Sequence, residues 1–495
     1  MFQTICEQVP REPRLPMRAW QLDCLYRVLD GTIYDVLRHP FHEERKENGE
    51  YVPIRKRKPS VRYGLCRSVV ADSVSLLFGE GHFPSISVGD NEVNPEVTRL
   101  IRDIRLPQVM LDAATRGSVG SVAIRVRLIE ARVYLDVMET RFLTPIWRAN
   151  RPDTLEKVVE AYIVMGEDLE ARGYTGVERK VQYWFKREWT DIEEVWYLPL
   201  STADYDDKKP FVRDEDRTVR HDHGFVPIVW IRNLPGGTST GDPAEGASTF
   251  SGAIDSQMEI EYQLSQAGRG LKYSSDPTLL LKDPTALDEP GAVKAPNMAL
   301  VVSKDGDGKL LEITGNALHA VMEYVRIVRE LALESIHGNR SSADKINAAQ
   351  SGKAMELLHQ PLIWLADKLR LSYGEYGILA VLRMIAVMHK ASPIELAYGT
   401  LGEMPKPEDM SLRWAPYFFP TFQDQLEQAN GLSIARKAGI LSQKTGVKVL
   451  ATTHDIENVE TEISDIEADQ KYDDARAARN AELEKAQRNI NQSAT

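Results

Sequence analysis

Three places in this 495-residue chain combine side chains that could do chemistry. Gly352-Lys353 is the dipeptide of a phosphate-binding loop. Such a loop needs glycine five positions earlier and Ser or Thr immediately afterwards, following a strand, so that backbone N–H groups converge on phosphate oxygens. Here those positions are Asn347 and Ala354, and the preceding pattern is helical. His221 and His223 could ligate a metal, but no matching Cys, His or carboxylate cluster accompanies them, so a loop histidine pair is the better reading. Asp305 and Asp307 invite calcium. The twelve-position EF-hand pattern is absent, however, and "ALVVSKDGDGKLLEI" reads as two strand arms around an Asp-Gly-Asp-Gly turn.

HExxH, GxSxG and a strand-linked GxGxxG are absent, and nothing in the sequence pairs carboxylates as acid and base. A non-enzymatic protein without cofactor or metal is expected. Net charge is −12, which argues against a protein that holds nucleic acid by neutralising phosphates. The three cysteines, Cys6, Cys24 and Cys66, form no CxxC pair and fit a reducing cytoplasm. The opening "MFQTICEQVPREPRLP" lacks the apolar core of a signal peptide. "GILAVLRMIAVM" is short for a bilayer span and interrupted by Arg383, so it reads as a buried helix and no membrane partner is expected.

The elements that must position any site change character along the chain. "RAWQLDCLYRVLDGTIYDVL" is helical in pattern, and the cluster Arg55, Lys56, Arg57, Lys58 could touch nucleic acid or an anionic partner but reads better as a solvated loop. From Cys66 a helix carries Val70, Val74, Leu77 and Phe78 on one face and stops at Gly79. Helices are predicted over Pro95–Ile104 and Pro107–Arg116. Alternating strands follow at 122–128, 133–137, 158–165, 181–187 and 195–200, which makes 65–235 an α+β region with a meandering antiparallel sheet. Gly236–Ser248, "GGTSTGDPAEGAS", has linker composition.

Beyond it, Phe250, Ile254, Met258, Leu264, Ala267 and Leu271 mark a helix of about 20 residues, with Asp255 and Glu259 opposite. After the hairpin, Asn316 caps a helix of roughly 30 Å whose wide apolar stripe comprises Leu318, Val321, Val325, Val328 and Ala332. Tyr324, Ile327 and Leu331 flank it; His319, Glu323, Arg326, Glu330 and Glu334 form its polar stripe. His337-Gly338 signals its end. A further helix runs from about Ser342, with Ser341 and Asp344 as a capping box, to about Lys390; it should kink or break at Pro361 and weaken at Gly374 and Gly377. Short helices follow, then an acidic helical tail with 11 acidic against 5 basic residues over 454–495. That composition suits a solvated helix or a coiled coil lacking its partners.

The order of these parts resembles the portal proteins of tailed double-stranded DNA bacteriophages with long non-contractile tails. "ATRGSVGSVAIRV" looks like that family's helix–glycine–strand entry to its sheet, and "HGFVPIVWIRN" is similar to the stretch before its stem. "GILSQKTGVKVL…HDIENVETEISDIEAD", with Asp455, Glu457, Glu460, Glu462 and Glu467, looks like its C-terminal signature. The resemblance covers about 65–470.

It implies an α+β, predominantly helical subunit of a homo-oligomeric ring, typically a dodecamer. The expected parts are a wing at 1–248, a stem helix at 249–275, a β-hairpin clip at 276–315 and a second stem helix at 316–337. A tunnel loop at 338–350, a kinked wing helix at 351–392, a wing return at 393–421 and a crown at 422–495 complete it. Asn339, Arg340, Ser341, Ser342, Asp344 and Lys345 would face DNA. His319, Glu323, Arg326, Glu330 and Glu334 would face the channel, and Leu318, Val321, Val325, Val328 and Ala332 the neighbouring subunit. Implied partners are double-stranded DNA, bound without sequence preference, the terminase large subunit, a head–tail adaptor, and major capsid and scaffolding proteins. The implied location is the capsid portal vertex of the virion, after assembly in the host cytoplasm. Alternative readings are another ring-forming virion connector, or a nucleic-acid-processing motor or enzyme.

Overall fold

The structure, a computed structural model, describes residues 1–495 apart from 80, 89–91, 206–209, 276–277, 283–306, 312–315, 339–355, 358, 419–421, 452–455, 457–458 and 494–495. It is a mixture of helix and sheet, as expected for an α+β chain. Helices α1 (Phe2–Cys6) and α2 (Met17–Leu29) open it, and two-residue strands β1 (His39–Pro40) and β2 (Arg57–Lys58) pair in parallel. The basic cluster is only partly solvated. Arg57 is 1% exposed, donating to the Phe41 carbonyl and the Tyr51 hydroxyl at 3.1 Å each. It pins the loop, which a charge count does not reveal.

Helix α3 (Leu65–Phe78) buries the expected stripe, and short strands β3 (Ser85–Val88) and β4 (Glu92–Val93) follow. Helix α4 (Pro95–Asp103) starts where local chemistry dictates: the Asn94 side chain accepts from the Glu96 and Val97 amides, with Pro95 in the first turn. Helix α5 (Leu106–Gly117) leads into the hairpin β5 (Ser121–Ile129) and β6 (Arg132–Glu139), turned by Glu130 and Ala131 at φ 50° and 62°. Five more strands and one short helix build the larger sheet: β7 (Leu143–Arg148), β8 (Arg151–Met165), α6 (Gly166–Ala171), β9 (Gln182–Trp189), β10 (Glu193–Tyr197) and the short β11 (Leu200–Ser201). Strand β12 (Arg213–Arg220) closes the order β12-β10-β9-β8-β7, with β11 on β9. The charged sequence of β12 hides it from pattern reading, and an edge strand needs no apolar alternation. Strand β13 (Ile228–Arg232) then pairs with β5 to give the smaller sheet, β13-β5-β6.

Strand β5 departs from simple alternation because Ala123 and Arg125 are buried too. Its second face packs on the larger sheet, where Ala123 joins Leu143, Val158 and Trp189. The linker expectation for Gly236–Ser248 is corrected as well. Ala244, Glu245 and Ser248 are buried, Trp230 Nε1 donates to the Ala244 carbonyl at 2.8 Å, and the Gly246 amide donates to Gly120 at 2.9 Å. A Cβ on Gly246 would come within 2.7 Å of the Leu234 carbonyl. Glycine serves close backbone approach here, not mobility.

A short turn, Ser251–Ala253, opens α7 (Ile254–Ser275). Strands β14 (Thr278–Lys282) and β15 (Asp307–Leu311) pair antiparallel before α8 (Asn316–Ser335). The hairpin is thus wider than the Asp-Gly-Asp-Gly turn suggested. Asp307 and Gly308 lie inside β15, opposite Lys282 and Leu281, while 299–306 fall outside the described residues. Of the kink or break expected at Pro361 the structure has the break: helix α9 (Gln360–Arg370) begins there, with the proline in its first turn. The irregularity falls at the two glycines: Leu371–Ile378 is π-helical before α10 (Leu379–Ala391). Gln360–Ala391 is by length and mean hydropathy (1.3) able to cross a membrane, but 61% of that window is buried, as in a core helix.

Short pairs β16 (Glu395–Leu396) with β17 (Gly399–Thr400), and β18 (Met410–Arg413) with β3, tie the return segment down. Helices α11 (Phe422–Lys437), α12 (Gln443–Ala451) and α13 (Val459–Ser493) end the chain. One core cluster runs from Ile5 to Met410 and includes Phe250, Ile254, Met258, Ala332, Leu333 and Ile336. The bases of α7 and α8 therefore share the hydrophobic core of the sheet region.

Candidate functional site: a two-helix stalk rooted in the core

Helices α7 and α8 pack along each other, and the start of α7 meets the end of α8, where Gly252 approaches Ile336 and Ser335. With 22 and 20 residues they are about 33 and 30 Å long. Strands β14 and β15 join their far ends. The arrangement is an antiparallel stalk with a small sheet at its tip.

One face of the root is deeply buried. Gln257, Met258, Ile260, Glu261, Tyr262 and Ser265 are all at most 4% exposed. Three of these polar side chains serve the N-terminus of α3, whose N-cap Gly64 (φ 65°) offers no side chain of its own. Gln257 Oε1 accepts from the Cys66 amide at 2.8 Å, and Glu261 Oε1 accepts from the Tyr63 and Gly64 amides at 2.9 and 3.1 Å. Ser265 Oγ accepts from the Val61 amide at 3.0 Å, and the Tyr34 hydroxyl donates to the other Glu261 oxygen. Burial pushes the Glu261 carboxyl above its ordinary range, while its donors, Tyr34 first, pull it back. Sequence reasoning missed this residue. The signal was there, since position 261 lies one turn from Met258 on the apolar face and yet is acidic.

Further out, the polar stripe of α8 is exposed as expected: His319, Glu323, Arg326, Glu330 and Glu334 all face solvent. Arg326 bridges Glu323 at 2.7 Å and Glu330 at 3.7 Å. Hydrogen bonding to Arg326 holds the Glu323 carboxyl below its usual range. The apolar stripe expected at a subunit interface is turned largely toward this chain's own body. Val325 (9% exposed) and Ala332 (1%) are buried within this chain, Val321 and Val328 are half-buried, and the Leu318 side chain lies outside the described residues. Tyr324, Ile327 and Leu331, at i, i+3 and i+7, are instead 45%, 45% and 60% exposed. The outer surface of α8 is therefore divided lengthwise into a polar and an apolar half.

Helix α8 ends on His337, held at φ 55°, with the Gly338 amide donating to Leu333 at 2.8 Å. A Cβ on Gly338 would stand 2.7 Å from Val69 of α3, so glycine is required by packing and histidine takes the left-handed position. Asn339, Arg340, Ser341, Ser342, Asp344 and Lys345, and Gly352-Lys353, lie outside the described residues. The His221 and His223 rings stack at 4.4 Å, and burial pushes His221 down to about 4. Among the described residues no three His, Cys, Asp or Glu side chains are grouped to hold a metal.

No known family model matches the chain, and no curated protein matches it. Among solved structures it is similar to a chain from the neck of an empty GTA particle computed with C6 symmetry, with a TM-score of 0.41 and 11% identity over 77% of this chain and 90% of that one. A likeness that loose fixes neither family nor function.

Proposed function

We propose that the chain is a portal-type subunit. Copies would form a ring at one capsid vertex that conducts double-stranded DNA during packaging and ejection, and that docks the packaging terminase and later a tail adaptor. The observation that carries this reading is the stalk: two antiparallel helices rooted in an α+β body and tipped by a strand pair. A subunit in a ring meets a neighbour on one flank and the channel on another, and the divided face of α8 suits that demand. Tyr324, Ile327 and Leu331 would pack on the neighbouring stalk, while the polar half would line the channel. Arg326, the cation between Glu323 and Glu330, is already paired with both, which suits a conduit, because each phosphate neutralised would add affinity and a tightly held duplex could not slide.

The test is the mass of the purified protein in solution, with imaging of the particles. Wild type should form rings with a central hole, and Ile327→Asp should give a folded subunit that does not assemble, since an unpaired carboxylate at a buried contact is costly. Val325→Asp should destabilise the subunit itself. A wild-type chain that stays monomeric at all concentrations would sink the proposal, and robust nucleotide turnover by the pure protein would favour a motor.

A further inference from the structure

The acceptors that α7 presents to α3 are spaced four residues apart, at Gln257, Glu261 and Ser265, and they meet amides in the reverse order, Cys66, then Gly64 and Tyr63, then Val61. We propose that these three side chains are a register lock that fixes the axial position of the stalk. The inference stands independently of the function proposed above.

Its physical basis is the count of acceptors in alternative registers. A helix can slide past its neighbour in steps of one turn, which moves each position to the place held by the residue four away. One step in one direction sets Arg269, which has no acceptor, opposite the Val61 amide. One step in the other sets Ala253 opposite the Cys66 amide. Either shift leaves an amide without its acceptor and moves the carboxylate away from Tyr34. The observed register alone matches acceptors to all four amides and places the negative charge at the positive end of the α3 dipole. Tyr262, on the same turn as Glu261, adds a hydrogen bond from its hydroxyl to the Arg57 carbonyl at 2.9 Å. Force along the stalk is then passed to α3, and through it to α5 and α9, instead of being lost to slippage.

Cys66 supplies the readout, because its thiol is wholly buried beside this contact. The experiment labels the full-length native protein with a thiol reagent and maps Cys66, Cys6 and Cys24 separately by mass spectrometry, with hydrogen exchange over 61–66. Glu261→Ala should speed labelling of Cys66 by about tenfold or more and deprotect Cys66 along with Tyr63 and Gly64, while Cys6 and Cys24 change little. Glu261→Gln, which keeps an acceptor oxygen, should recover most of the protection. If Glu261→Ala does not fold, Ser265→Ala should give a smaller rise at the same thiol. Unchanged Cys66 labelling, or equal acceleration at all three cysteines, would overturn the lock, since the first means independent local caps and the second general unfolding.

Discussion

Arg18 and Glu245 lie 227 positions apart and meet in the interior, at 5% and 0% side-chain exposure. The guanidinium also donates to the Leu143 carbonyl at 2.7 Å and the Thr140 carbonyl at 3.1 Å, so α2, β7 and the glycine-rich segment are joined at one group. Removing one partner of a buried pair strands the other charge. Glu245→Ala should therefore cost about 3–5 kcal/mol, and Glu245→Gln, which keeps an acceptor for the Nε–H, distinctly less. Urea unfolding midpoints measure both. A loss below about 1 kcal/mol for the alanine variant would mean that water reaches the guanidinium. Neither residue stood out in the sequence, because a buried arginine and a solvated one are spelled alike.

Elements were legible where period and punctuation agreed. Helices α3, α4 and α5 fall close to where the apolar stripe with Gly79, and the predicted starts at Pro95 and Pro107, place them. The weakening expected at Gly374 and Gly377 falls where the glycines place it, but neighbours decide its form. The long helix is π-helical across Gly374 and Gly377, with Gly374 against Leu412 and Trp414, and Gly377 against Ile231 and Met110. Tyr373 in that segment is fully buried and donates to Asn233 at 3.0 Å. A Cβ on Gly117 of α5 would stand 2.1 Å from that hydroxyl. Alanine normally improves a helix over glycine by up to about 1 kcal/mol. Gly117→Ala should reverse the sign and cost about 1–3 kcal/mol through overpacking and loss of the tyrosine bond. Gly268→Ala on α7, with nothing within 4 Å, should stabilise by about 0.5–1 kcal/mol. Equal effects in thermal unfolding would refute the packing account.

For the whole molecule, the division is between one extensive core and an appended acidic helix. No described side chain of α13 is buried, and its contacts run to α12, including an ion pair between Lys444 and Glu460. Exposed pairs contribute little. Deleting 459–495 should therefore move the thermal midpoint by less than about 2 °C. A larger loss by calorimetry would show that the tail packs on the body in solution.

By itself the sequence determined the alternation of helix and strand, the acidic charge, the absence of the nucleotide-loop and protease patterns, and the stalk helices with a strand pair between them. Periodicity and turn chemistry are local, and a single chain carries them whole. Only the tertiary structure decided which face of α8 is spare, that the glycine-rich segment is a packed junction, and that a buried glutamate within one helix caps the start of another. Those outcomes depend on what stands opposite each side chain, and partners separated by hundreds of residues leave no periodic trace in the order of the residues.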